Sequence, residues 1–139
     1  MNLTCIYRAC DKEINENFNT IRPIWFDKCK CWKSFYDSFN TSNIIVVFDG
    51  NRNNIFYNYL KNFSIEIINL DLNDNKGSLF YCYDLVSSID SDYIYFIEDD
   101  YLHLPNSSQV IIEGLERFGD QANLTLYDHP DHYNKQEEL

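Results

Sequence analysis

The stretch Ile44–Asn51, which has the sequence IIVVFDGN, decides the expected fold of this chain. Its first five residues are all β-branched or aromatic, and no polar residue among them marks a face toward solvent. A strand of this kind is buried on both faces, as the strands of a parallel sheet are. The Asp-Gly-Asn that follows is a turn signal. The stretch therefore predicts a central strand of a parallel sheet over residues 44–48, with polar side chains directly after it.

Similar apolar runs, separated by amphipathic stretches, occur on both sides of this strand. Together they predict strands over Leu3–Arg8, Ile44–Phe48, Ile65–Leu70, Tyr93–Ile97 and Asn123–Tyr127. Apolar residues at helical spacing predict helices over residues 23–40, 55–63, 79–89 and 105–118, with a loop over residues 73–77. Alternating strands and helices predict a single α/β domain over residues 1–139, a three-layer α/β/α, Rossmann-like structure with a mostly parallel sheet.

The composition is that of a globular protein with an acidic surface. The chain has 139 residues, of which 45% are hydrophobic, enough for one core. Its net charge of −11 argues against nucleic acid as a partner, because a phosphate backbone needs a basic face. No run has the length of a membrane span, and no signal-peptide pattern occurs. Five cysteines, an odd number, indicate free thiols and a cytoplasmic location.

The run Glu98-Asp99-Asp100 follows the most apolar of the predicted strands. Three adjacent carboxylates repel one another and need compensation. Mn²⁺ or Mg²⁺ would supply it, because these ions prefer oxygen ligands and bind one or two carboxylates together with phosphates. Since alternate side chains of an extended segment share a face, Glu98 and Asp100 are expected to point together. The residues alone leave two interpretations open, a metal site and a solvated strand end.

Other polar residues follow the remaining predicted strands, where α/β proteins bind their ligands. They are Arg8, the turn Asp49-Gly50-Asn51 and the segment Asp128–His132. A polar turn is the favoured interpretation of the last segment, and a surface residue that of His103.

Residues 90–100, DSDYIYFIEDD, resemble the strand and metal motif of family 2-like glycosyltransferases with the A-type fold. The segment Val47–Asn51 looks like the Asp-Asp-Gly-Ser turn of that family, with one of its two acids present. Asn75–Ser78 lies where the family has a Gly-led segment before its nucleotide-contacting helix. The order and spacing of the three motifs agree with the family.

This resemblance implies that the chain binds a UDP- or GDP-linked sugar and transfers the sugar to a glycan, lipid or protein acceptor. A Mn²⁺ or Mg²⁺ ion at Glu98 and Asp100 would neutralise the diphosphate and stabilise the departing nucleotide. The resemblance also implies nucleotide-sugar contacts, with Asp49 facing the base; the candidate residues are Arg8, Asp49, Asn51, Lys76 and Asp99.

The chain is short for this family, whose members continue into an acceptor-binding part, so we expect that part to be lacking. A truncated, non-catalytic nucleotide-sugar-binding or scaffold module is therefore the main alternative. A receiver- or phosphatase-type domain is less favoured, because the first strand ends in Arg8-Ala9-Cys10 rather than in an aspartate. A dinucleotide-binding domain is disfavoured, because no G-x-G-x-x-G follows that strand.

Overall fold

The computed structural model describes residues 1–12, 22–121 and 123–126. The chain divides into two compact units, Met1–Leu104 and Pro105–Leu139. The single domain expected for residues 1–139 stays a prediction, and each unit is described here by itself.

The first unit is built on a parallel sheet of four strands in the order β3-β2-β1-β4. The strands are β1 (Leu3–Cys10), β2 (Asn43–Asp49), β3 (Glu66–Leu70) and β4 (Tyr93–Glu98). The connecting helices are α1 (Lys28–Phe39), α2 (Ile55–Leu60) and α3 (Asn75–Val86). The predicted α/β class with a parallel sheet is therefore confirmed, and the topology is compatible with a Rossmann-like fold.

Helices α1 and α2 cover one face of the sheet through aromatic contacts. The ring centroid of Tyr7, in β1, lies 4.9 Å from that of Trp32 and 5.0 Å from that of Phe35, both in α1. The ring of Phe48, in β2, lies 4.9 Å from that of Tyr57 in α2. These five side chains are buried, so this aromatic layer is the main core of the unit.

Helix α3 covers the opposite face of the sheet. Ile6 and Val47, whose side chains alternate with those of the aromatic layer, pack against Cys82 in a second buried cluster. Partly buried apolar residues surround this cluster: Ile68, Leu70, Leu85, Val86, Ile89 and Ile94. Helices thus lie on both faces of the sheet, as the three-layer prediction requires.

The strand order places a topological switch point between β1 and β4. The chain moves outward from β1 through β2 to β3, and then returns to place β4 on the other side of β1. The strand order therefore reverses at β1, and open α/β sheets bind their ligands at the carboxyl ends of the strands at such a point. Arg8 and the acidic run both lie at this edge of the sheet.

Two predicted boundaries differ from the structure because side chains cap the helices. Helix α1 begins at Lys28 rather than near Pro23, because Asp27 is its N-cap and accepts a hydrogen bond from the Cys29 amide at 2.8 Å. The predicted loop over residues 73–77 ends earlier, because Asp74 caps α3. A carboxylate at the N-cap satisfies amide groups that the first helical turn leaves without partners.

The second unit contains α4 (Ser107–Phe118), followed by a short 3₁₀ helix, Gly119–Gln121. Gly119 ends α4 with a φ of 58°, as expected of a helix-terminating glycine. Residues 123–126 form no strand, and Tyr127 lies outside the described residues. The predicted fifth strand is therefore wrong for the four residues that the structure describes there.

Candidate ligand pocket

A pocket of about 440 Å³ lies at the carboxyl ends of β1, β2 and β4 in the first unit. Its walls consist largely of charged and amide side chains. The lining residues are Arg8, Ala9, Cys10, Asp11, Lys12, Arg22, Lys28, Asp49, Asn73, Asp74, Asn75, Ser78, Glu98, Asp99 and Asp100. Five of the seven predicted site residues are thus brought together: Arg8, Asp49, Glu98, Asp99 and Asp100.

The guanidinium of Arg8 joins β1, β4 and α3. Its Nη2 donates a hydrogen bond to Glu98, and its Nη1 donates to the Asn75 side chain at 2.7 Å and to Ser78 Oγ at 3.1 Å. The Glu98 side chain remains 48% exposed. Arg8 is therefore an organising residue of the pocket wall, while Glu98 keeps access to solvent.

Asp99 forms a buried ion pair with Lys28, the first residue of α1. Lys28 Nζ lies 2.7 Å from Asp99 Oδ2, and the two side chains are only 5% and 12% exposed. The same Oδ2 accepts a hydrogen bond from the Cys10 amide at 2.9 Å, and Lys28 donates to the Cys10 carbonyl at 2.9 Å. This triangle ties the end of β1 to α1 and to the turn after β4.

Both partners of this ion pair have a perturbed pKa. Burial raises the pKa of Asp99, and the Lys28 ammonium opposes that rise. Burial acts to lower the pKa of Lys28, but the charges of Asp99 and Cys10 and the hydrogen bonds to both residues together outweigh burial, so that this pKa is raised. The ammonium is therefore held in its charged form by a carboxylate that has little access to water.

Asp100 forms the third ion pair, with Arg22 at 3.1 Å. Asp100 Oδ1 and Arg22 Nε are both buried, and neither has a hydrogen-bond partner among the described residues. The hydroxyl of Tyr7 is also buried, and it too has no hydrogen-bond partner among the described residues. Burial raises the pKa of Tyr7, and the charges of Asp99 and Asp100 raise it further, which places both carboxylates near this hydroxyl.

The expected alternation of the acidic run is therefore not the observed one. Glu98 pairs with Arg8 on the α3 side of the sheet, whereas Asp99 and Asp100 both act on Tyr7 on the α1 side. The reason is that β4 ends at Glu98 and the two aspartates lie in a turn. Alternation holds only while the backbone is extended.

Each carboxylate of the acidic run thus has its own basic partner, supplied by Arg8, Lys28 and Arg22. The sequence predicts that these carboxylates need compensation, but by a divalent cation rather than by Arg22 and Lys28. Lys28 had left a signal, since it lies three and four residues before the buried Cys31 and Trp32 of α1. A lysine on the buried stripe of a helix indicates an ionic partner inside the protein.

Asp49 lines the pocket and anchors the connection between β3 and α3. It is buried and accepts hydrogen bonds from three consecutive amides, those of Leu72 at 2.8 Å, Asn73 at 3.0 Å and Asp74 at 3.1 Å. Asn73 has a φ of 48°, so this loop needs the support that Asp49 gives it. The predicted contact of Asp49 with a nucleotide base stays a prediction.

The other two predicted residues, Asn51 and Lys76, are exposed and do not line the pocket. The Asn51 amide donates to Asp11 at 2.9 Å. Asp11 also lies against Gly50, where a Cβ would come within 2.3 Å of its Oδ1. Gly50 has a φ of 125°, so this turn requires glycine.

Of the remaining histidine predictions, His103 is described and does not line the pocket. His103 is buried rather than on the surface, and its Nε2 forms a 2.9 Å hydrogen bond with the hydroxyl of Tyr95. Burial lowers the pKa of His103, which favours the neutral imidazole. The segment Asp128–His132 lies outside the described residues.

A metal ion would find oxygen donors among the described residues of the pocket, but not a set of three protein ligands. Among the described residues, no group of three or more His, Cys, Asp or Glu side chains is arranged to hold a metal ion. Glu98 and Asp100 fit a more limited role, since Glu98 is half-exposed and Asp100 Oδ1 has no partner among those residues. Two carboxylates are enough for Mg²⁺ when phosphates complete its coordination.

The fold and the pocket define an α/β protein with a charged pocket at a topological switch point. Comparisons with protein families, with curated proteins and with solved structures find no match for this chain. No helix in the described part of the chain is long and apolar enough to cross a membrane.

Proposed function

We propose that this chain is a glycosyltransferase-like protein that binds a nucleotide-diphosphate sugar, UDP- or GDP-linked, in the pocket at the ends of β1 and β4. A divalent cation, Mn²⁺ or Mg²⁺, would accompany the diphosphate at Glu98 and Asp100. In this proposal the first unit is the donor-binding part of an A-type fold.

The convergence of cations and carboxylates at the switch point is the observation that carries this proposal. Arg8, Arg22 and Lys28 line the same pocket as Glu98 and Asp100. Its volume of about 440 Å³ lies within the range of small-molecule sites. A diphosphate with its metal ion carries both signs of charge, and this pocket has groups that complement both.

The pocket residues take separate roles in the proposal. Arg8 and Arg22 are the candidate phosphate contacts, because guanidinium groups bind phosphates through paired donors. Lys28 and Asp99 hold the turn that carries Asp100, and Asp49 supports the loop that forms the far wall. Asn51 and Lys76 are not needed for the diphosphate, since they lie outside the pocket.

A binding module without turnover is a second candidate, and one observation favours it. Every described carboxylate that lines the pocket already accepts a hydrogen bond from the protein. The six residues are Asp11, Asp49, Asp74, Glu98, Asp99 and Asp100. The two carboxylates with oxygens left for a ligand, Glu98 and Asp100, are assigned to the cation in this proposal. A general base needs a lone pair that is available to the acceptor, so this assignment favours donor binding over transfer.

Calorimetric titration with UDP-sugars and GDP-sugars in the presence of Mn²⁺ tests the proposal. We expect binding to the wild-type protein and at least a tenfold loss of affinity, about 1.4 kcal/mol, in Asp100→Ala. Asp71→Ala is the matched control, because Asp71 is an exposed carboxylate that pairs with Arg52 outside the pocket. The control should bind like the wild type.

Failure of the folded wild-type protein to bind any of these nucleotide-sugars would falsify the donor-site proposal. If binding is found, release of free sugar or transfer to added acceptors separates the two candidates. Turnover that is lost in Asp100→Ala supports the enzyme, whereas tight binding without turnover supports the binding module.

A further inference from the structure

We propose that the ion pairs Arg8–Glu98 and Arg22–Asp100 exchange partners when ligand binds, so that a divalent cation and a diphosphate enter the pocket only together. In the free protein each arginine neutralises a carboxylate that the cation would bind. Each carboxylate likewise neutralises an arginine that the diphosphate would bind. This inference rests on the proposed function and adds to it how the site is regulated.

The three ion pairs of the pocket differ in how readily they can separate. Lys28 and Asp99 are almost fully buried, and both also bond to the backbone of Cys10. In the other two pairs the carboxylates of Glu98 and Asp100 are 48% and 25% exposed. Asp99 is therefore the fixed member of the acidic run, and its neighbours on either side are the exchangeable members.

Charge balance couples the two ligands. A cation that binds alone must displace arginine from its carboxylate, which leaves a guanidinium without compensation in a partly buried site. A diphosphate that binds alone must displace a carboxylate from its arginine, which leaves that carboxylate uncompensated. Removing one member of a sheltered ion pair is costly, but exchanging both members for ligands of matching charge keeps every group paired.

The unpartnered atoms of the Arg22–Asp100 pair support the same inference. Asp100 Oδ1 and Arg22 Nε are both buried without a partner among the described residues. The ion pair therefore leaves one acceptor, the carboxylate oxygen, and one donor, the guanidinium N–H, without a hydrogen bond. Oxygen coordination to a cation would use the first, and a phosphate oxygen would use the second.

Four titrations on the full chain test the coupling. Mn²⁺ is titrated into the protein alone and into the protein with saturating UDP or GDP. Each nucleotide is titrated into the protein with EDTA and into the protein with saturating Mn²⁺. Free Mn²⁺ is followed by its paramagnetic resonance signal, and nucleotide binding by calorimetry. We expect each ligand to raise the affinity of the other by the same factor, about tenfold or more.

Two mirror-image variants give results that a purely structural role of these residues does not predict. Arg22→Gln frees Asp100, so Mn²⁺ alone should bind more tightly than to the wild type. Asp100→Asn frees Arg22, so UDP or GDP without metal should bind more tightly. Either variant should reduce the coupling factor several-fold. Arg52→Gln and Asp71→Asn, which break an exposed pair outside the pocket, should leave every affinity unchanged.

The possible outcomes separate this inference from the proposed function. If UDP and GDP fail to bind even with Mn²⁺, the proposed function fails. If they bind equally well with Mn²⁺ and with EDTA, nucleotide binding stands, but the exchange and the role proposed for the cation are both overturned. A loss of single-ligand affinity in both mirror variants, with melting temperatures like that of the wild type, also overturns it. One variant that folds is sufficient, because each makes its own prediction of a gain.

Discussion

At the scale of single residues, the pocket is organised by contacts between positions that are distant in the sequence. Lys28 and Asp99 are 71 positions apart, Arg22 and Asp100 are 78 apart, and Arg8 and Glu98 are 90 apart. The buried lysine is the clearest case, because an ammonium is seldom removed from water without a partner. Its contribution to stability can therefore be tested directly.

We expect Lys28→Met to destabilise the protein by about 3–5 kcal/mol, because the substitution leaves the Asp99 carboxylate buried without its cation. Urea unfolding followed by tryptophan fluorescence measures the loss. Lys33→Met is the matched control, since Lys33 belongs to an exposed ion pair on the same helix. Adding Asp99→Asn to Lys28→Met should restore part of the stability. If Lys28→Met and Lys33→Met have the same free energy of unfolding, the buried ion pair does not stabilise the protein.

At the scale of elements, hydrophobic pattern predicted the sheet but not the loops that shape the pocket. Apolar runs predicted all four strands of the first unit, and β2, which is buried on both faces, left the clearest mark in the sequence. The anchoring of the β3–α3 loop by Asp49 leaves none, because its three amide partners lie 23 to 25 positions away. Which carboxylate binds a ligand and which supports a loop depends on such long-range contacts.

Asp49→Ala should loosen the β3–α3 loop, because three amides lose the carboxylate that accepts their hydrogen bonds. Amide hydrogen exchange at residues 72–74 should become faster, and the protein should lose about 2 kcal/mol of stability. Exchange in β1 and α1 should change much less. Asp71→Ala, next to the loop but exposed, is the control. Unchanged exchange at these three amides would show that the loop holds its conformation without Asp49.

At the scale of the whole molecule, the pocket brings four cations together with six carboxylates among its described lining residues. The chain has a net charge of −11, yet four of its eleven lysines and arginines line this pocket: Arg8, Lys12, Arg22 and Lys28. An anionic ligand is repelled by the overall charge and is stabilised only where cations converge. A divalent cation carried with the ligand reduces the same repulsion, which is why metal and diphosphate belong together in the proposal.

The stability of the whole molecule should also depend on pH through His103, which is packed against Phe35 and Phe39 and hydrogen-bonded to Tyr95. Burial lowers its pKa in the folded state from the usual 6.5, so the unfolded chain takes up a proton first as the pH falls. The stability that His103 contributes is therefore present above pH 6.5 and declines below it, by at most about 1.4 kcal/mol per pH unit.

Urea unfolding between pH 7.5 and 5.5 should show this decline in the wild-type protein. His103→Gln has no group that titrates there, so its free energy of unfolding should fall less steeply over the same interval. The difference between the two slopes isolates His103 from the other ionisable groups, because both proteins share them. Parallel slopes would mean that the imidazole takes up its proton equally well in the folded and unfolded chains, which contradicts its burial beneath α1.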